Sequence, residues 1–124
     1  MIRVAGQSPR FPGATSADGV IATSGIVAPA VLVGEDLAFA QQAQVVLAQL
    51  AAVLADAGAG LDDVLRLEAF LADPRDFAAW DRAFCAAWPE AAARPARTTL
   101  VAGFAVPGVL VEVQAIAVTG GRAR

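Results

Sequence analysis

Two charged residues in apolar, strand-like runs are the side chains of this sequence best suited to chemistry. Arg97 lies in the run 94–101 and Glu112 in the run 109–118. A charge in an otherwise apolar strand is costly to bury unless it is paired or used. A guanidinium can hold a carboxylate through two hydrogen bonds, and a partly desolvated carboxylate can handle protons near neutral pH. We therefore treat these two residues as the primary candidates for binding and catalysis.

The side-chain inventory excludes most other catalytic arrangements. The sequence has no His, no Tyr and a single cysteine, and all nine of its basic residues are Arg. A Ser-His-Asp triad, a histidine metal site and a Schiff-base lysine are therefore excluded. Cys85 alone forms neither an intrachain disulfide nor a cysteine metal site, so we predict no metal. Acid–base work falls to a carboxylate, a hydroxyl or a bound water.

Length, hydropathy and charge restrict the class of protein. The 124 residues fit one domain, 1–124, and a hydrophobic share of 57% is enough for a core. A formal net charge of −3 argues against an electrostatic hold on nucleic acid. The longest apolar stretch, 45–55, is interrupted by Gln49 and is shorter than the ~20 residues that span a bilayer. With no signal-peptide core in residues 1–13, we expect a cytoplasmic protein that binds neither membrane nor nucleic acid.

Apolar periodicity, caps and breakers predict an α+β fold. An apolar stripe of Leu and Ala predicts a long helix, and Asp73-Pro74 predicts the start of a second one. We expect a single mixed β-sheet with two helices packed on one face, and a frayed tail at 120–124. The predicted elements are helices at 36–56 and 73–88, strands at 20–23, 62–71, 98–102 and 109–119, and an optional strand at 2–5.

Alternation along the strand 62–71 predicts which side chains share a face. Leu65, Leu67, Ala69 and Leu71 form one face, and the other carries Val64, Arg66, Glu68 and Phe70. Gln41, Gln42, Gln44 and Gln49 fall largely off the apolar stripe of the first helix. The mixed apolar and charged face of the sheet suggests burial against other subunits.

Several short motifs, in their order and spacing, resemble the RidA/YjgF family of enamine/imine deaminases over nearly the whole length. They are Ser24-Gly25, Ala57-Gly58 with 61–64, Phe70-Leu71-Ala72-Asp73 with 76–79, Arg94-Pro95-Ala96-Arg97-Thr98-Thr99, and 109–115. The resemblance implies a chorismate-mutase-like fold and a homotrimer with three sites between subunits. It also implies hydrolysis of small 2-imino or 2-enamine acids, such as 2-aminoacrylate, to 2-oxo acids and ammonia without a cofactor.

The same resemblance assigns roles to individual residues. Arg97 would bind the substrate carboxylate, and Glu112 would activate water or assist proton transfer. Ser24, Gly25 and Thr99 would line the pocket. Four positions depart from the family pattern: Phe11 replaces a tyrosine, Ile26 a glutamine, Asp81 an asparagine and Thr99 a cysteine. Phe11 and Asp81 join the substrate-binding candidates, and with Ile26 they are where we expect any altered activity to originate.

Structural roles compete with these assignments. Arg97 could form an ion pair with a carboxylate at a subunit boundary, and Glu112 could pair with Arg66 or Arg97. Ser24 could satisfy backbone groups, since no base is present to activate it. A trimer that binds small carboxylates or a client protein without turnover is the alternative function. An endoribonuclease has the least support from an acidic chain without His or Lys.

Overall fold

The computed structural model of the chain describes residues 1–6 and 8–120. Within them, six strands form one mixed sheet in the order β1-β2-β3-β6-β4-β5. Among these strands of the described residues, β4 and β5 pair in parallel, and the other neighbouring pairs are antiparallel. The strands are β1 (Ile2–Val4), β2 (Ala14–Ala17), β3 (Val20–Thr23), β4 (Val64–Leu71), β5 (Ala96–Val101) and β6 (Val111–Val118), and the helices are α1 (Pro29–Leu32), α2 (Phe39–Asp56) and α3 (Phe77–Ala87).

The two long helices bury their apolar stripes against one face of the sheet. Leu47, Leu50 and Leu54 of α2 and Trp80 and Phe84 of α3 lie in the same buried cluster as residues of β4 and β6. This confirms the predicted sheet with two helices on one face. The predicted tail 120–124 lies outside the described residues from position 121 onward.

The predicted first helix begins three residues too early, and two short elements were missed. Helix α2 starts at Phe39, where the Gln41 side chain accepts a hydrogen bond from the backbone N–H of Ala38 (3.1 Å). The connection between the predicted strand 20–23 and the predicted helix 36–56 contains the one-turn helix α1. Strand β2, of sequence Ala-Thr-Ser-Ala, carries little apolar patterning and is held by its pairing with β1 and β3.

The predicted faces of β4 are wrong at its first two residues. A register shift between Val64 and Arg66 marks an irregularity in the pairing of β4 with β6. Val64 is consequently fully buried, whereas Leu65 is 47% exposed. An extra residue inverts the alternation of everything before it, so only the part from Arg66 to Leu71 follows the predicted pattern.

Gln42, predicted to lie off the apolar stripe, is instead buried in the core and joins α2 to the segment before β6. Its amide nitrogen donates to the carbonyls of Leu37 (3.0 Å) and Gly108 (2.9 Å). Its side-chain oxygen accepts from the backbone N–H of Leu110 (2.9 Å). Only 1% of Gln42 is exposed, so water cannot replace these bonds. The side chain therefore fixes the chain two residues before Glu112.

Replacing Gln42 by Met should lower the free energy of unfolding by about 2–3 kcal/mol, because similar volume is kept while three buried backbone groups lose their partner. The measurement is urea unfolding followed by tryptophan fluorescence. Gln44→Met on the exposed side of the same helix is the matched control and should change stability by under about 0.5 kcal/mol. Equal effects of the two substitutions would contradict the assigned role.

Candidate functional site

The register of β4 places Arg97 and Glu112 on opposite faces of the sheet. Arg97 is opposite Leu67 in the β4–β5 pair, and Glu112 is opposite Phe70 in the β4–β6 pair. Residues opposite each other share a face, and positions 67 and 70 of one strand point in opposite directions. Buried Leu67 marks the helix side, so Arg97 lies on that side and Glu112 on the outer side. One chain therefore does not bring the two candidates together.

The Glu112 carboxylate lies against Gly25. A Cβ built on Gly25 would overlap the Oε2 atom of Glu112, so only glycine admits the carboxylate in this position. The neighbouring residues pair reciprocally: Ile26 N–H donates to the carbonyl of Val113 (2.7 Å), and Val113 N–H donates to that of Ile26 (3.0 Å). The Ile26 side chain is in the core. Ile26 thus holds Gly25 beside Glu112 through its backbone.

Burial raises the pKa of Glu112 above its ordinary value. Among the residues described, its side chain has neither an ion-pair partner nor a hydrogen-bond donor. The predicted alternative partners are engaged elsewhere, Arg66 with Thr98 (2.7 Å) and Glu68 (3.9 Å), and Arg97 with Asp81. The carboxylate is therefore available to a proton donor that enters from outside.

A cavity of about 780 Å³ opens in front of Glu112. Ser24 and Phe11 also line it, and most of the remaining wall is apolar. The Ser24 hydroxyl donates to the carbonyl of Pro12 (2.7 Å), which is the backbone-satisfying role considered for it. The other lining residues are Ser8, Arg10, Gly25, Val27, Leu32, Phe104, Ala105, Val106 and Val109. The structure thus groups four of the predicted site residues: Phe11, Ser24, Gly25 and Glu112.

Arg97 belongs to a second group, on the helix side of β5. Its Nη2 donates to Oδ1 of Asp81 on α3 at 2.5 Å. Its guanidinium carbon lies 4.3 Å from the centre of the Phe84 ring, within the range of a cation–π contact. Thr99, two residues along β5, points to the same side as Arg97. The second group is thus Arg97, Thr99 and Asp81, and the structural ion pair considered for Arg97 forms within the chain.

Sequence reasoning missed the residues that build the walls and supports of the site. Phe104 and Val106 line the cavity from the segment that connects the strands predicted at 98–102 and 109–119. Gln42 supports the chain before Glu112 from within an apolar helix stripe. In the sequence Gln42 is grouped with Gln41, Gln44 and Gln49, and nothing in their types or spacing distinguishes the one that is buried.

The described residues contain neither a metal-binding cluster nor a membrane-spanning helix. Over 1–6 and 8–120, no three or more His, Cys, Asp or Glu side chains cluster in a way that could hold a metal ion. None of the helices in the described part of the chain has the length and hydropathy to cross a membrane.

Comparisons with known proteins agree on one family. A family model described as Endoribonuclease L-PSP matches residues 2–119. The RutC family protein YoaB of Escherichia coli (strain K12) is 41% identical over 80 residues, 64% of this chain and 68% of that protein. The crystal structure of NMB1025, a member of the YjgF family from Neisseria meningitidis, superposes with a TM-score of 0.84 at 31% identity, covering 99% of this chain and 96% of that one. RidA of an Antarctic Psychrobacter gives a TM-score of 0.79 at 25% identity, covering 94% and 93%.

Replacing Glu112 by Gln should stabilise the chain at neutral pH, and the gain should vanish in acid. The folded-state pKa is raised, so the folded chain binds the proton more tightly than the unfolded chain does. Stability contributed by this group is therefore greatest at low pH and falls as pH rises through the window between the unfolded and folded pKa values. Urea unfolding of both proteins at a series of pH values measures this difference, and a gain independent of pH would contradict it.

Proposed function

The chain belongs to the RidA/YjgF family, and on that premise we propose that it is a hydrolytic deaminase of reactive 2-enamine and 2-imino acids, which it converts to 2-oxo acids and ammonia. The Glu112 carboxylate supports this function most directly. It is partly desolvated, unpaired among the described residues and open to a cavity. A carboxylate with a raised pKa is suited to exchange protons near neutral pH.

The reaction needs a protonated imine, a water and one group that moves protons. Water adds to the C=N carbon while Glu112 accepts its proton, which gives a carbinolamine. Glu112 then returns the proton to the nitrogen, and as the C–N bond breaks and ammonia leaves, the carboxylate takes the proton of the carbinolamine hydroxyl, so that the 2-oxo carbonyl forms. That last proton, which the protonated imine brought in, passes to ammonia and gives ammonium. The Arg97 guanidinium holds the substrate carboxylate. No electron is gained or lost, so the proposal includes no cofactor.

Arg97 and Glu112 act together only if two copies of the chain meet, since they lie on opposite faces of one sheet. We therefore include in the proposal a homotrimer whose sites each take Arg97 from one copy and Glu112 from the next. The outer face supports such packing, because Leu100 is 51% exposed and Ile116 37% exposed. A cytoplasmic location also stays a prediction.

Arg97→Ala and Glu112→Gln should each abolish hydrolysis of 2-aminoacrylate generated in situ by a pyridoxal enzyme, measured as acceleration of 2-oxo acid formation. If the sites are shared, mixing the two inactive variants under conditions of subunit exchange should restore activity at about a quarter of the sites. Each variant exchanged with itself is the control. Absence of recovery in verified mixed oligomers would mean that the site is not shared.

Gly25→Ala should lower kcat at least tenfold without unfolding the chain, because the added Cβ overlaps the carboxylate of Glu112 and displaces it. Gly60→Ala is a matched control, since a Cβ there meets nothing within 4 Å. The comparison is kcat and the unfolding midpoint of both variants. Unchanged kcat in Gly25→Ala would contradict the position assigned to Glu112.

Binding without turnover is the second candidate function. Two observations favour it: Phe11 presents no hydroxyl to the cavity, and Arg97 is already paired with Asp81. Calorimetry with 2-oxo acids, combined with turnover assays on a panel of imines, separates binding from hydrolysis.

The endoribonuclease activity named in the family model's description has less support, because the chain has a net charge of −3 and neither His nor Lys. RNA cleavage that survives purification and is lost in Arg97→Ala would reverse that order.

A further inference from the structure

Asp81 forms an ion pair with the Arg97 guanidinium, which is the group that binds the substrate carboxylate in the proposed reaction. The contact joins one Nη2 atom to one Oδ1 atom. Among residues 1–6 and 8–120, no other hydrogen bond is made by either side chain, so Nη1 and Nε of Arg97 and Oδ2 of Asp81 are left for a ligand. The two side chains are 31% and 41% exposed. The pair therefore presents donors and an acceptor side by side to solvent.

The surroundings hold this pair together. The Phe84 ring lies 4.3 Å from the guanidinium carbon, and the Phe77 ring lies 6.0 Å away. Both rings belong to α3, the helix that carries Asp81. These ring contacts and the hydrogen bond to Asp81 favour an Arg97 that keeps its place against α3, beside Asp81, when a ligand binds.

A free carboxylate is poorly matched to this arrangement. It meets a guanidinium that is already neutralised, and its oxygens approach the Asp81 carboxylate. Two like charges about 4 Å apart in a water-exposed setting repel by an amount that weakens binding about fivefold. A carboxamide has no such conflict, because its C=O accepts from Arg97 while its N–H donates to Asp81.

We propose that Asp81 is a specificity-determining residue that weakens the hold of Arg97 on a free carboxylate and extends the substrate range of the chain to 2-imino amides. This inference rests on the proposed function for the identity of the reacting group. It concerns only the end of the substrate held by Arg97.

The test compares the dissociation constants of pyruvate and pyruvamide, measured by NMR titration of the Arg97 Nε–H resonance. Asp81→Asn should tighten pyruvate about fivefold and leave pyruvamide unchanged or weaker, so that the ratio of the two constants shifts at least fivefold. Asp81→Glu keeps the charge and should keep the wild-type ratio. Asp18→Asn makes the same change of charge in the β2–β3 turn, where the backbone already has a positive φ of 53° that Asn accepts, and should also keep it.

An unchanged ratio in Asp81→Asn, or failure of both probes to bind the wild type, would overturn the inference. Imine hydrolysis is assayed separately. A shifted ratio without any hydrolysis keeps the binding preference assigned to Asp81 and rejects the proposed function, and with it the extension to 2-imino amides. Hydrolysis with an unshifted ratio keeps the function and rejects the inference.

Discussion

Strand β4 pairs with both β5 and β6, and this double pairing is the constraint on which the rest of the molecule depends. It fixes Arg97 opposite Leu67 and Glu112 opposite Phe70. Because side chains alternate along a strand, a slip of one residue in either pair would exchange the faces of these charges. The same register buries Leu67 beneath the helices. The placement of the reactive groups and the formation of the core are therefore consequences of one alignment.

On the outer side of the sheet, the Glu112 carboxylate is held in position without a hydrogen-bond or ion-pair partner among the described residues. Gly25 leaves the space, the Ile26–Val113 backbone pair sets the approach, and Gln42 fixes the chain just before β6. None of these contacts offers a charge or a donor to Glu112. Desolvation therefore raises the pKa of Glu112 with no opposing interaction. The surrounding backbone hydrogen bonds offset the free energy that this burial costs.

The sequence predicts the elements in which many residues carry the same signal for secondary structure. The apolar stripe of α2 and the Asp73-Pro74 start before α3 identified both long helices, since each carries many residues that agree. Strand β2 has no such pattern, and its pairing with β1 and β3 could not be foreseen from Thr15 or Ser16 alone. The inverted positions of Val64 and Leu65 arise from a register shift that depends on β6, a strand almost fifty residues away.

The site residues also fall into those that the sequence identifies and those whose position depends on contacts between distant segments. Arg97 and Glu112 stand out in the sequence because charges in apolar strands are rare, and Asp81 because it departs from a family pattern. That Arg97 and Glu112 face opposite ways could not be predicted, because facing depends on pairings between β4, β5 and β6. Gln42 looked like one of several exposed glutamines, and only the position of Leu110 against α2 shows why this one is buried.

The charges of the Arg97–Asp81 pair and of Glu112 also bear on imine protonation and product release in the proposed reaction. In the proposed homotrimer, a site that joins Arg97 and Asp81 of one copy to an ionised Glu112 of another would carry one net negative charge, because Arg97 and Asp81 neutralise each other. Such a field favours a protonated imine over its neutral form and so makes the carbon that water attacks more electrophilic. The 2-oxo acid product keeps the carboxylate but has lost the positive nitrogen. In such a site the product would be repelled where the substrate is held, and the charge that activates the imine would also promote release.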